Sequence, residues 1–385
     1  MRALVLHNRY AGAAPSGENR VVDSEIEALN EAGVDVETLM PSSDSIRKMS
    51  LKGKASAAMT PMFGLSSANQ LDRLLTSFRP DVVHLHNPYP LISPSAIASC
   101  VRAGIPIVAT IHNFRLRCIN GLFYRDGAIC TDCEDRRVAV PGVIHGCYRG
   151  SHLQSAMMSA AIARHRSNWN RLSRYIAVSE FVADRLRAWG APDDTVVVKY
   201  NPVEDPGEPT PVGRGFLFAG RLSEEKGIML LLDAWALSGL GATSRLIVAG
   251  DGPQRNEAEE RARTLQGVSF EGMVSASRVA ELRRETGVSI CCSTCFEAHP
   301  AIAESFSHGR PVVSTDVGAL AGLVDDEVGW SAPANAVDLA SALRSATDPV
   351  GIELRGIAAR QRYVRSYRSD VVAAQLISIY ESVIS

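Results

Sequence analysis

Val288-Ser-Ile-Cys-Cys-Ser-Thr-Cys-Phe-Glu-Ala-His-Pro-Ala-Ile-Ala-Glu-Ser-Phe-Ser-His-Gly-Arg-Pro-Val-Val-Ser314 reads as strand, loop, helix and strand in succession. The apolar runs Val288 to Cys292 and Pro311 to Ser314 are short enough for buried strands. Between them Pro300 suits a first helical position, where its missing N–H would have no partner anyway, and Gly309 suits the stop. The amides near Pro300 to Ala303 then face outward with the helix dipole behind them, a place for a phosphate or a sugar hydroxyl. Glu297 precedes this start and Glu304 lies one turn inside it, so two carboxylates flank it. An ordinary βαβ element with a solvated glutamate at each end accounts for the same residues.

The same alternation extends in both directions. Strands at Phe216 to Ala219, Arg245 to Ala249 and Val268 to Phe270 alternate with helices near Lys226 to Leu237, Gln254 to Leu265 and Ser277 to Glu285. Pro202, Pro206, Pro209 and Pro211 mark Asn201 to Gly213 as a linker. Before it come strands at Arg2 to His7, Val34 to Met40, Val82 to His86, Ile107 to Ile111, Tyr175 to Val178 and Val196 to Lys199. Helices are expected from Ser16 to Gly33, Ser67 to Phe78, Ser93 to Ala103, Ser151 to Ser173 and Glu180 to Trp189, and a basic, Ser-rich loop from Pro41 to Thr60. Alternating β and α elements imply two Rossmann-like, doubly wound parallel-sheet domains, 1–203 and 204–367, with a terminal helix near 368–385 packing back on the first. Two such domains would face each other across a cleft. Ligands in such sheets bind beyond the carboxyl ends of the strands, which singles out Gly17, His86, His112, Arg221, Asp251 and Glu297.

A chain of 385 residues suits two cores. No apolar run approaches the roughly 18 residues that cross a bilayer, and a cytoplasmic protein is expected, with the inner face of the membrane as a further location. Net charge is −2, but residues 1–203 carry 23 Lys+Arg against 18 Asp+Glu and the remainder 17 against 24, that is +5 followed by −7. The first half is therefore expected to face something anionic, such as a lipid surface; the excess is too mild for nucleic acid. The first loop lacks Gly-x-Gly-x-x-Gly, so a dinucleotide fingerprint is absent.

Gly220-Arg-Leu-Ser-Glu-Glu-Lys-Gly227, Ala249-Gly-Asp-Gly-Pro253 and the Glu297 stretch follow one another at three strand ends. In this order they resemble the donor-binding domain of retaining, family 4-like glycosyltransferases of the GT-B fold. Asp81-Val-Val-His-Leu-His86, Thr110-Ile-His112, Ala177-Val-Ser179 and Asn201-Pro-Val203 extend the resemblance over nearly the whole chain. Arg221 and Lys226 stand out independently of it, because two cations beside a helix start neutralise a diphosphate. The resemblance implies a UDP-linked or other nucleoside-diphosphate sugar donor, a polysaccharide, glycolipid or natural-product acceptor, and no cofactor required for transfer. It makes His112, Arg221, Lys226 and Glu297 catalytic, and gives Gly17, Gly252, Met273, Pro300, Ala301, Ile302 and Glu304 to the donor. His86 or Asn87 falls on the acceptor side. That family has seven residues between its two glutamates and this chain has six, so Glu304 is displaced by ~100° of helix. A sugar-nucleotide 2-epimerase on the same fold and a non-catalytic sugar-nucleotide-binding protein are the alternatives.

Within an insertion at 115–150, Cys118-x11-Cys130-x2-Cys133-x13-Cys147 carries one Cys-x2-Cys knuckle and two outlying thiols. Four thiolates around a structural zinc would order such a loop, and four unconnected thiols are the other reading. Cys291, Cys292 and Cys295 read as packing residues. Arg149, Arg164, Arg166, Arg171 and Arg174 lie beside apolar positions, which suits peripheral membrane contact or simple solvation.

Overall fold

The computed structural model describes the chain apart from residues 11, 13–16, 65–66, 209, 297–299 and 385, and apart from the side chains of 47, 51–52, 54–55 and 58. Two compact units emerge, one from Met1–Arg125, Cys130–Pro202 and Ser369–Ser385, the other from Asp126–Ile129 and Val203–Arg368.

The strands in chain order are β1 Arg2–Leu6, β2 Asp35–Leu39, β3 Val82–Leu85, β4 Ile107–Ile111, β5 Tyr124–Arg125, β6 Ala128–Ile129, β7 Arg174–Ala177, β8 Val196–Val198, β9 Phe216–Ala219, β10 Leu246–Ala249, β11 Val268–Gly272, β12 Val288–Cys291, β13 Val312–Thr315 and β14 Gly329–Ala332. The first unit's sheet runs β2-β1-β3-β4-β7-β8 and the second's β11-β10-β9-β12-β13-β14, all parallel; β5 and β6 form a separate two-stranded piece. Both are doubly wound parallel α/β domains, as expected.

In the first unit, register aligns the strand ends: Leu6 lies opposite both Leu39 and Leu85, and Leu85 opposite Ala109. One face of this sheet buries Ala3, Val82, Val108 and Ile176 against Leu29 of the helix Gly17–Glu31 and Leu376, Ile379 and Tyr380 of the helix Ser369–Glu381. In the second unit the two-residue strand period divides β9 between faces. Phe216 and Phe218 join the large core with Leu231, Leu232 and Trp235 of the helix Ile228–Ser238, while Leu217 turns to the smaller cluster with Ile247 and Leu282.

Two expectations are corrected. The stretch Pro41 to Thr60, expected as loop, holds the helices Ser45–Lys48 and Leu51–Phe63. Its serines and basic residues suggested a loop, but Ser50 caps the second helix by accepting the Gly53 N–H, and Gly64 stops it at φ +66°. It packs against the helix His152–Trp169, and tertiary contact outweighs its weak propensity. The edge strand β14 was not expected, because Gly329-Trp-Ser-Ala332 is no apolar run; Gly329 lies so close to β13 that an added Cβ would meet the Val312 carbonyl at 2.0 Å.

Candidate functional site

At the carboxyl end of the second sheet three loops stack through their backbones. Leu222 N–H donates to Asp251 O at 2.9 Å, Gly220 N–H to Ala249 O at 3.0 Å, and Gly250 N–H to Gly272 O at 2.8 Å. This closeness explains the glycines: a Cβ on Gly250 would meet Gly220 O at 1.8 Å, and one on Gly252 would meet Leu222 O at 2.3 Å. Arg221 is exposed on this platform. Lys226 closes the 3-10 turn Glu224–Lys226, and Gly227, at φ +72°, turns the chain into the helix Ile228–Ser238. Gly227 fits against β12, where a Cβ would sit 2.0 Å from Cys292 O, and Thr294 N–H donates to Glu225 O at 3.0 Å. Lys226 therefore stands near the end of β12, beside the buried thiol of Cys291, whose pKa burial raises to about 12 against that positive charge. Met273 follows β11 and is 63 % exposed, an apolar side chain at the rim of the same strand ends.

The helix Pro300–Ser307 contains the expected proline as its first described residue and is followed by Gly309 at φ +65°. Ile302 is buried beneath it, while Pro300 and Ala301 are half-buried. Glu297 lies outside the described residues. Glu304 accepts from Arg283 Nη2 at 2.5 Å, so its carboxylate is aimed at the helix Ala276–Glu285. Arg283 is 5 % exposed.

The first unit gathers a separate set. His7, His86 and His112 each follow a strand directly, and the aligned register of β1, β3 and β4 brings their rings together. His86 Nδ1 lies 2.9 Å from His112 Nε2, with the rings stacked at 5.2 Å, and the His7 ring is edge-on to His86 at 6.1 Å. Glu25, on the buried face of the helix Gly17–Glu31, places Oε2 3.6 Å from His86 Nε2 and Oε1 2.5 Å from Lys199 Nζ. A carboxylate beside Nε2 favours the proton there, leaving His86 Nδ1 to accept from His112 Nε2–H. His112 then keeps Nδ1 as an acceptor. Burial holds His84, His86 and His112 well below the ordinary imidazole pKa, with neighbouring cations and imidazoles adding to it, and lowers His7 to about 4. All are neutral at pH 7.

Asn87 is absorbed by the backbone: Nδ2 donates to Asn8 O and Oδ1 accepts from Tyr89 N–H. Gly17 opens its helix, and the loop before it lies outside the described residues. The sequence reading missed His7, Glu25 and Lys199. The signal for Glu25 was available, because it falls at helical spacing among Val21, Val22, Ala28 and Leu29 on an apolar face. Glu25, His84 and His86 have ligand atoms within 4.8 Å of one another, but Lys199 already neutralises the carboxylate, and His84 gives both ring nitrogens to Tyr380 and Thr110 at 2.7 Å. A cavity of ≈ 1630 Å³ opens at the opposite end of the second sheet, lined by Gly215, Phe216, Arg245, Val288, Arg310 and Arg360, away from Arg221 and Lys226.

Residues 15–205 match Glycosyltransferase Family 4, and residues 213–348 match Glycosyl transferases group 1. The chain is 30% identical over 179 residues to the phosphatidyl-myo-inositol mannosyltransferase of Mycobacterium leprae, covering 45% of this chain and 47% of that one. It is 31% identical over 134 residues to the alpha-monoglucosyldiacylglycerol synthase of Streptococcus pneumoniae, covering 34% and 30%. The aligned part thus spans half or less of these curated relatives. Among solved structures, HepE of Anabaena in complex with UDP superposes with a TM-score of 0.66 at 16% identity, covering 99% of this chain and 100% of that one.

Proposed function

The chain belongs to the family 4-like glycosyltransferases of the GT-B fold, and from that premise we propose that it moves a sugar from a nucleoside-diphosphate sugar to an acceptor hydroxyl, with retention at the anomeric carbon. The observation that carries the donor class is the placement of Arg221 and Lys226 on loops held by close glycine contacts, ahead of an 11-residue helix. Cations and helix-start amides on a rigid platform suit a diphosphate. In the transfer the bond from the anomeric carbon to the diphosphate oxygen breaks, the diphosphate leaves with the electron pair, the acceptor oxygen bonds the carbon, and the acceptor's hydroxyl proton passes to the departing diphosphate. Arg221 and Lys226 stabilise the charge that grows on the leaving group. Glu297 and the backbone of Pro300 to Ile302, where Ala301 and Ile302 supply the N–H groups, hold the sugar in this reading. His112, neutral and with Nδ1 as acceptor, takes a sugar hydroxyl.

UDP is the nucleotide proposed first, since the similar fold of HepE is crystallised with it. A lipid-borne acceptor is favoured by two observations. The names of these two curated relatives each contain a lipid, phosphatidyl-myo-inositol in one and monoglucosyldiacylglycerol in the other. The first unit also exposes Val138, Val140, Ile144 and Leu153 within a short stretch that includes exposed Arg136, Arg137 and Arg149, an apolar and basic surface suited to an anionic interface. Among the described residues no helix is long and apolar enough to cross a membrane. The test is calorimetric: Arg221→Ala and Lys226→Ala should each weaken nucleoside-diphosphate binding about tenfold or more. Unchanged affinity in both would remove the diphosphate site from this platform.

A further inference from the structure

We propose that Cys118, Cys130, Cys133 and Cys147 form a structural zinc site of tetrathiolate type. The four thiols, separated by up to 29 positions in sequence, line one small cavity of ≈ 20 Å³ together with Gly142 and Arg125. The local fold explains the convergence. Cys118 precedes the β5–β6 hairpin, Cys130 and Cys133 follow it as a knuckle, and Cys147 follows the short helix Val140–Ile144. Backbone hydrogen bonds shape each approach: Cys118 N–H donates to Phe114 O, Cys130 N–H to Phe123 O, and Cys147 N–H to Gly142 O, at 2.8 to 2.9 Å. None of the four is in a disulfide.

Burial raises the pKa of the Cys118, Cys133 and Cys147 thiols, and the Cys118 S–H donates to Asn120 Oδ1 at 3.0 Å, so a metal binding there would displace their protons. Backbone N–H groups of Asn120, Gly121, Leu122 and Phe123 point at the Cys118 sulfur, that of Gly142 points at Cys133, and the Arg125 guanidinium faces Cys130 and Cys147. These donors oppose the burial that otherwise keeps a thiol protonated. Gly142 is required by the crowding, since a Cβ there would stand 2.7 Å from Ile119 Cδ1 and 3.4 Å from the Cys133 sulfur. The sulfurs are not drawn within 4.8 Å of one another in threes. A zinc tetrathiolate with Zn–S of about 2.3 Å has sulfur–sulfur edges of about 3.8 Å. Binding therefore tightens the loop.

The site has a structural purpose. The insertion begins just after His112, and its Ile119, Cys133 and Ala139 share a small buried cluster with Met158, Ala161 and Ile162; it is also pinned at several points. Ala139 N–H donates to Ser159 Oγ, Tyr148 N–H to Ser155 Oγ, and Glu134, next to Cys133, accepts from Arg185 and the Trp189 indole. Metal binding at its centre adds a cross-link between the segments that carry Cys118, the Cys130–Cys133 knuckle and Cys147. All four positions would then be ligands, which makes the site closed and non-catalytic.

The full chain, purified without chelators, is expected to carry about one zinc per chain by elemental analysis. Titration with an organomercurial should release it in step with four thiols, and cobalt exchanged into the protein should show the visible bands of a tetrahedral thiolate complex. Cys130→Ser/Cys133→Ser should lower the zinc content at least tenfold, while Cys100→Ala, remote from the loop, keeps it. The mercurial titration decides the matter on the unmutated chain if the double variant folds poorly. Less than a tenth of an equivalent after exposure to zinc, zinc retained by the double variant, or a Cys130–Cys133 disulfide in the metal-free protein overturns the proposal.

Discussion

Gly227→Ala and Gly239→Ala form a matched pair at the two ends of the helix Ile228–Ser238. Both glycines sit at nearly the same backbone angle, φ +72° and +70°, so alanine costs each about 1–2 kcal/mol of conformational strain. They differ in their surroundings. An added Cβ at Gly239 meets nothing within 4 Å, whereas at Gly227 it would lie 2.0 Å from the Cys292 carbonyl oxygen. Relieving that contact requires about 1 Å of movement between the turn that carries Lys226 and the end of β12. A displacement of that size costs on the order of a hundredfold where groups must be aligned. Thermal unfolding should therefore place both variants below the parent, by about 2–4 °C per kcal/mol. Calorimetry should then separate them: Gly239→Ala binds nucleoside diphosphate as the parent does, and Gly227→Ala binds about tenfold or more weakly. Equal affinity in the two variants would refute the claim that this backbone contact places the cation.

Further predictions concern the first unit and the glutamate helix. His7 is lowered from 6.5 to about 4 by burial, so below pH 6.5 the unfolded chain binds a proton that the folded chain refuses; stability is full above that pH and falls as pH drops. His7 alone contributes a loss of about 3 kcal/mol by pH 4, and His84, His86, His112 and His308 act in the same direction; a denaturation midpoint that stays level from pH 7 to 5 would contradict this. Glu25→Ala should destabilise the fold by about 3–5 kcal/mol, because it leaves the fully buried Lys199 ammonium without its counter-charge. Glu25→Leu/Lys199→Met should recover most of that in urea melts, and a double variant as unstable as the single one would argue against the pair. Arg283→Leu should remove the Arg283 contact to the Glu304 carboxylate and alter nucleoside affinity with inorganic diphosphate affinity unchanged; unchanged nucleoside affinity would argue against Glu304 on the nucleoside.

Much of this arrangement was legible because apolar runs bounded by glycine and proline mark parallel strands, and strand ends are where such sheets bind ligands. Arg221 and His112 were singled out that way, and Lys226 by its pairing with Arg221 beside a helix start. His7 was equally a strand-end residue, but its partner Glu25 comes from a helix face and Lys199 from the end of β8, and that three-element encounter is a property of packing. The helix Leu51–Phe63 escaped notice because its stabilisation comes from the helix it packs on, and β14 because an edge strand with a glycine lacks the buried-strand pattern. For Glu304 the one-residue shortening signalled displacement, and the basic partner was hidden on another helix. The cysteine spacing announced one knuckle; the convergence of the two outlying thiols on it is set by the hairpin and the short helix between them.

The central claim, a nucleoside-diphosphate sugar held at Arg221 and Lys226, is tested most directly by thermal unfolding of the full chain against a panel of nucleoside diphosphates and their sugars. One nucleotide, with UDP expected, should raise the melting temperature with increasing concentration, equivalent to about 2.7 kcal/mol at a hundredfold excess over Kd. The rise should vanish in Arg221→Ala/Lys226→Ala. A panel in which no nucleoside diphosphate shifts the transition at millimolar concentration, or a shift that survives in the double variant, would contradict it.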